Sequence, residues 1–277
     1  MAGANEGVVL LCVGSIDRAE FREVLPTLEP QGTVLTAPTI RTAVRRLAQA
    51  SLTPDVVVVV QSYPGEFADA QVDQLRRVAP LARFVTLLGT WCEGEMRSGA
   101  PLSGTIRVYW HQWVPQAYRE LNRLIAGGES PWSLPPTACE EERCLAIAAR
   151  PGHRGGGLVE IVTEQYDVFD WLATACLKRE YTPRWRRAQD DSRSDSPVAV
   201  LFDAAGEIEK EASKLRRLSV DRRVPVIVLA DFPRIADCDR LMSAGANAVL
   251  SRPFFWDDLF WYFPASACRL APKESAL

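Results

Sequence analysis

Five short runs of the chain are apolar at every position except for one threonine, Thr86, and they constrain the fold more than any other feature. A strand that is buried on both faces needs such a run, which is typical of parallel sheets. The runs occupy residues 8–13, 56–60, 84–88, 198–202 and 226–229. Between them lie segments with apolar side chains at helical spacing, such as Ile40, Val44 and Leu47. This alternation of strand and helix predicts doubly wound α/β sheets.

The alternation runs through the chain twice. A chain of 277 residues is long enough for two domains, each with its own core. The first series ends near Gly127, and the second begins at Leu158. The segment between them is rich in proline and glycine, which predicts a linker or a packed connector with one short helix over 140–149. We therefore predict domains at 1–127 and 158–277, joined by 128–157. In the second domain, a crossover helix is expected to be missing or very short between the second and third strands.

Composition excludes several classes of protein. A net charge of -3 gives no general attraction to nucleic acid or anionic lipid. The seven cysteines include no C-x-x-C pair, and there are only two histidines, so neither a disulfide framework nor a zinc site is indicated. The first apolar run is too short for a signal peptide or a membrane span. We expect a cytoplasmic protein without nucleic-acid or membrane partners.

One segment carries a family resemblance. Residues 225–259, PVIVLADFPRIADCDRLMSAGANAVLSRPFFWDDL, resemble the last half of a response-regulator receiver domain: fourth strand, helix, Gly-Ala turn, fifth strand, basic residue, Pro and Phe. Residues 54–67, PDVVVVVQSYPGEF, resemble the third strand and Pro-Gly turn of another receiver. The resemblance implies two flavodoxin-like, receiver-like domains in tandem.

The resemblance also implies where a receiver site would lie in the second domain. Such a site uses an acidic pair to hold magnesium, an aspartate that accepts phosphate, a hydroxyl donor and a lysine. Asp203 matches the phosphoacceptor and Glu164 matches one acid, so these two are the candidate magnesium ligands. Thr163 replaces the other acid, Ala230 the hydroxyl residue and Arg252 the lysine. The site is half complete. We expect Asp203 to have a structural role and to lie close to Arg252, because their strands end at the same edge of the sheet.

The first domain departs further from the receiver pattern. Val60 or Gln61 occupies the acceptor position, Gly14 and Ser15 the acidic positions, and His111 the lysine position. None of these side chains is a carboxylate that could accept phosphate. We therefore predict that the first domain binds no phosphoryl group at the end of its third strand.

The last helix is unusually aromatic. In the sequence FFWDDLFWYF, Phe255, Leu259 and Phe263 share one face of the helix, whereas Trp256, Phe260 and Trp261 point elsewhere, so one short helix is not expected to bury all of these rings in its own domain. The remaining apolar surface marks an interface, either between the two domains or in a homodimer. The candidate interface residues are Phe255, Trp256, Phe260 and Trp261.

The expected function is signalling through protein contacts, without catalysis and independent of phosphorylation. Partners would be an output protein or a histidine kinase, and no cofactor is expected apart from magnesium at Asp203. Two alternatives remain open. In one, Asp203 is a true phosphoacceptor for a histidine kinase. In the other, the first sheet belongs to a flavodoxin-like enzyme or small-ligand binder that uses Trp91, Glu93, Glu95 and His111.

Overall fold

Two parallel sheets of five strands each form the fold, one in each half of the chain. The computed structural model describes residues 7–49, 53–148, 154–189, 196–219 and 224–263. The chain divides into two units, Met1–Arg150 and Pro151–Leu277. Among the described helices, none is long and apolar enough to cross a membrane.

The first unit alternates strands and helices as the sequence pattern predicts. Its sheet has the order β2-β1-β3-β4-β5, and all neighbouring strands are parallel. The strands are β1 (Val8–Gly14), β2 (Gly32–Ala37), β3 (Val56–Gln61), β4 (Arg83–Leu88) and β5 (Ile106–Tyr109). The helices are α1 (Val24–Leu28), α2 (Ile40–Gln49), α3 (Asp69–Val78), α4 (Glu95–Ser98), α5 (Trp113–Ile125) and α6 (Glu140–Ala148).

The core of this unit lies on both faces of the sheet. Alternate residues of β1 enter different clusters: Leu10 and Cys12 pack with α1 and α5, whereas Leu11 and Val13 pack with α2 and α3. The period of two along each strand requires both sets to be apolar. The uninterrupted apolar runs therefore follow from burial on two faces, as expected.

The segment after α5 packs on the first sheet. Trp132 is buried, and its ring stacks on Trp113 with centroids 6.3 Å apart. The Ser130 hydroxyl donates to a Glu120 carboxylate oxygen at 2.7 Å and accepts from the Trp132 amide at 3.1 Å. The first unit thus extends into the segment that the sequence pattern predicts as a linker or packed connector; residues 149–153 lie outside the described ranges.

The second unit repeats the same strand order. Its sheet is β10-β9-β8-β6-β7, again parallel throughout. Residues 187–189 and 196–198 of the connection from β7 to β8 form no helix; the rest of the stretch in which a crossover helix is expected to be missing or very short lies outside the described residues. The strands are β6 (Leu158–Val162), β7 (Thr182–Arg186), β8 (Ala199–Ala204), β9 (Val226–Asp231) and β10 (Ala248–Arg252). The helices are α7 (Tyr166–Lys178), α8 (Ile208–Ser219), α9 (Ile235–Ser243) and α10 (Trp256–Trp261).

The aromatic helix α10 differs from its prediction. Phe260 and Trp261 are only 1% and 4% exposed. The expectation that Phe260 points away from the core of its own domain is wrong, whereas Trp261 stays a candidate for an interface. Phe260 stacks on the ring of Tyr181, at 5.7 Å between centroids, within the core of the second unit. Phe255 and Trp256 are half-buried and stay candidates for an interface.

Candidate functional site

Asp203 lies near the end of β8, at the carboxyl edge of the second sheet, and is nearly buried. One carboxylate oxygen accepts a hydrogen bond from an Arg252 guanidinium nitrogen at 2.8 Å. The other accepts a hydrogen bond from the Thr163 hydroxyl at 2.7 Å. Both oxygens of the candidate phosphoacceptor are therefore engaged by side chains of the same unit.

Arg252 reaches Asp203 across an intervening strand. It ends β10, which pairs with β9, and β9 in turn pairs with β8. Its Nε donates to the Asp231 carboxylate at 2.7 Å, so one guanidinium binds acids at the ends of two strands. The planar fork of arginine allows this double pairing, whereas the compact ammonium of a lysine is a single point charge. The proximity of Asp203 and Arg252 that the strand order predicts is present.

Thr163 changes the chemistry of the acidic position. A carboxylate at the end of β6 would repel Asp203 and would need a cation between them. The threonine hydroxyl instead donates to Asp203 and also accepts from the Gln165 amide at 3.1 Å. Its main-chain carbonyl accepts the Trp185 indole N–H at 2.9 Å. Thr163 and Arg252 together satisfy Asp203 without a metal ion.

A small cavity of about 40 Å³ lies beside Asp203 and is also lined by Glu164, Ala188 and Lys214. Glu164 is exposed, and one of its oxygens accepts the Ala188 amide at 3.2 Å. No group of three acidic, histidine or cysteine side chains that could hold a metal occurs among the described residues. Because both Asp203 oxygens accept hydrogen bonds from other side chains and Thr163 replaces one acid, this donor set is a poor fit for magnesium, which usually takes one or two carboxylates together with several water oxygens.

Ala230 is buried in β9 next to this edge and offers no hydroxyl. Its register partner on β8 is Ala204, the residue that follows Asp203. A phosphoryl group on Asp203 would therefore lack a side-chain hydroxyl donor from this position.

In the first unit, the corresponding edge carries a buried polar network. The Gln61 amide, at the end of β3, donates to a Glu95 carboxylate oxygen at 2.7 Å. The other Glu95 oxygen accepts from Arg107 of β5 at 2.9 Å, and the Glu95 side chain has no exposed area. This Gln61–Glu95–Arg107 network ties β3 and β5 to α4. Gln61 and Glu95 are candidate residues in the sequence, whereas Arg107 is not, although a charged residue inside a short strand indicates a buried partner.

The other receiver positions of the first unit have structural roles. Val60 is fully buried, and Gly14 faces its main chain: a Cβ on Gly14 would lie 2.5 Å from the Val60 carbonyl oxygen. Gly14 also has φ +123°, which favours glycine. Ser15 is exposed. A side chain that could hold a cation is thus excluded at Gly14.

The residues of the possible ligand site in the first unit are spread over different environments. Trp91 is 73% exposed, whereas Glu95 belongs to the buried network. Burial raises the pKa of Glu93. His111 packs between Tyr109 and Trp110, at 5.8 and 5.5 Å between ring centroids. This surface is aromatic, but Glu95 is already paired and does not face it as an available acid.

Burial lowers the pKa of His111 to about 4 from the ordinary 6.5. Its Nδ1 is enclosed without a hydrogen-bond partner among the described residues. The unfolded chain therefore binds this proton more readily, so stability is full above about pH 6.5 and falls as the pH drops towards 4. We expect one of the two imidazole signals in an NMR titration to move only near pH 4. His111→Gln should remove that signal and flatten the stability loss between pH 6.5 and 4; an ordinary titration of His111 would contradict the prediction.

Comparisons with known proteins give weak similarities. No family model matches the chain, and no curated protein matches it significantly. A response regulator receiver protein from Pseudoalteromonas atlantica is 21% identical over 37% of this chain and 89% of that chain, with a TM-score of 0.33. A response regulator from Thermotoga maritima is 21% identical over 38% of this chain and 92% of that chain, with a TM-score of 0.33. The RcsC C-terminus of E. coli, which contains a linker region and a phosphoreceiver domain, is 14% identical over 97% of this chain and 96% of that chain, with a TM-score of 0.31.

The fold assignment rests on the sheets themselves. In each unit the strands run in the order second, first, third, fourth and fifth, all parallel, with crossover helices on both faces. This is the flavodoxin-like order of doubly wound domains. The chain is therefore built from two flavodoxin-like domains in tandem.

Proposed function

We propose that this chain is a receiver-like signalling protein that acts through protein contacts and transfers no phosphoryl group at either sheet edge. The observation that carries the proposal is that both carboxylate oxygens of Asp203 are hydrogen-bonded, one by Arg252 and the other by Thr163. In the first unit, the matching strand ends in Gln61, whose amide is bound to Glu95. Neither strand end offers a carboxylate oxygen that is ready to attack.

The charge balance also disfavours phosphorylation of Asp203. A phosphoryl group carries about two negative charges, and these must be neutralised at the site. Arg252 supplies one positive charge and already shares it between Asp203 and Asp231. A magnesium ion would normally supply the rest, but Thr163 removes one of its carboxylates. Phosphorylation would therefore place uncompensated charge at a nearly buried position.

Acyl phosphate labelling tests the proposal. We expect the full chain, incubated with acetyl phosphate and magnesium, to show no stoichiometric phosphoryl adduct by intact mass spectrometry. Asp203→Asn should behave identically, because no transfer occurs. Asp231→Asn is the matched control, since Asp231 binds the same arginine but is mostly exposed. A stoichiometric adduct that Asp203→Asn abolishes and Asp231→Asn retains would overturn the proposal.

The second candidate function is a true phosphoacceptor, with a histidine kinase as the partner. The cavity beside Asp203, lined by Glu164, favours it, because it leaves a small space at the carboxyl edge. This candidate requires Thr163 to release Asp203 when magnesium binds. It predicts a magnesium-dependent adduct on Asp203 and therefore the opposite outcome of the same experiment.

Protein contact is supported by an aromatic surface on the second unit. Trp171 of α7 is partly exposed, and its ring lies 4.6 Å from that of Trp256 and 5.7 Å from that of Phe254. Aromatic side chains give large contact areas with little loss of conformational entropy. We propose this surface as the contact site for a protein partner, either an output protein or a second copy of the chain in the cytoplasm.

A further inference from the structure

A cavity of about 270 Å³ lies in the first unit at the edge opposite to Gln61. It sits where β4 and β5 begin, and the segment between α5 and α6 forms its other wall. Its lining is largely apolar and aromatic. The principal apolar side chains are Phe84, Ile106, Trp132, Leu134, Pro135 and Pro136.

One charged side chain in this cavity is buried without full satisfaction. Arg143 of α6 is 6% exposed, and its Nη1 has no hydrogen-bond partner among the described residues. A buried donor on a charged group is costly when it is left unpaired. Arg143 is one of the residues that line the cavity.

The cavity is also positive overall. Arg83 is its second arginine, and the Arg83 Nε donates to the Ser133 hydroxyl at 3.0 Å. Two arginines line the cavity, and none of its lining residues is an aspartate or glutamate. The positive charges of these arginines are therefore not balanced by an acidic side chain among the described lining residues.

From this combination we propose that the cavity binds a small carboxylic acid with an apolar or aromatic body. The carboxylate pairs with the Arg143 guanidinium, whose planar fork matches two carboxylate oxygens. The body of the ligand packs against Phe84, Ile106 and Trp132, as in ligand sites with apolar walls and a few polar groups. The cavity volume is at the small end of such sites, which restricts the ligand to small acids. This binding site is independent of the proposed function, because it lies at the opposite edge from the receiver positions.

Calorimetry on the full chain with phenylacetate as the probe tests the site. We expect saturable binding with one site per chain. Arg143→Met should weaken binding at least tenfold, since it removes the buried guanidinium of the cavity lining and retains the apolar stem. The control is Arg45→Met, an exposed arginine on α2 outside the cavity lining, which should bind as the wild type does. Unchanged binding by a folded Arg143→Met protein would overturn the proposal.

A second variant covers the case in which Arg143→Met does not fold. Ala82 also lines the cavity, and Ala82→Leu fills part of it while Arg143 is kept. We expect this variant to fold and to lose phenylacetate binding at least tenfold. Inorganic phosphate is the competing probe: failure to displace phenylacetate at equal concentration supports a carboxylate site with an apolar body. Equal affinity for phosphate, or the absence of any saturable binding, would show that the ligand class is wrong.

Discussion

Replacing Arg107 by methionine is expected to lower the free energy of unfolding by about 3–5 kcal/mol, the usual cost of removing one partner of a buried ion pair. Arg107 binds Glu95 at 2.9 Å, and the Glu95 side chain has no contact with solvent. Without the arginine, the carboxylate keeps the amide of Gln61 as a donor but loses its counter-charge. Urea denaturation of the full chain measures the change.

Two further variants separate the ion pair from a general loss of packing. Arg97→Met lies on the same helix as Glu95 but is exposed, and its change should stay within about 0.5 kcal/mol. Glu95→Gln combined with Arg107→Met removes both charges. Because the double variant has no buried carboxylate, it should be more stable than Arg107→Met alone by 1 kcal/mol or more, as an order-of-magnitude expectation. A double variant that is no more stable than Arg107→Met alone would contradict the assigned role of the pair.

The sequence predicts the sheets well because burial on both faces leaves a clear pattern. The runs that become β1, β3, β4, β8 and β9 are apolar at every position except Thr86, and all five strands lie in the interior of their sheets. β2 (Gly32–Ala37) has no such run, so the apolar pattern does not indicate this strand. It lies at the edge of its sheet and is largely half-buried or exposed, so its residues do not need to be apolar.

The candidate site was predictable only in part. Parallel strand order places Asp203 and Arg252 at one edge, so their proximity follows from the topology. The hydrogen bond from Thr163 to Asp203 does not follow from the topology, because a threonine after a strand is equally compatible with an exposed turn. The partner of Arg107 was also hidden, since Glu95 lies on a short helix after β4 whose position depends on tertiary packing.

The burial of Phe260 was missed for a similar reason. Helical periodicity gives the direction of a side chain but not the segments that cover it. The ring of Tyr181 comes from the turn before β7 and stacks on Phe260, and the Arg179 guanidinium lies 5.0 Å from the Phe260 ring centroid. Arg179 is held there by Asp257 at 2.7 Å. Tyr181 and Arg179, distant in sequence from Phe260, thus cover one side of this aromatic helix.

Phe260→Ala is therefore expected to lower the free energy of unfolding by about 3–5 kcal/mol, the range for a buried phenylalanine. The loss combines the apolar area, the cavity left among Tyr181 and Phe263, and the contact with Arg179. Phe260→Leu retains most of the apolar volume and should lose less than half as much.

Phe232→Ala is the matched control, because Phe232 is 64% exposed and should change stability by only about 0.5 kcal/mol or less. Hydrogen exchange measured by mass spectrometry should place the loss in β8 and α10, which share the core of the second unit. A core residue destabilises the chain equally at every protein concentration. If Phe260→Ala instead left the dilute protein as stable as the wild type and lost stability only where the wild type self-associates, Phe260 would be an interface residue and its assignment to the core would be wrong.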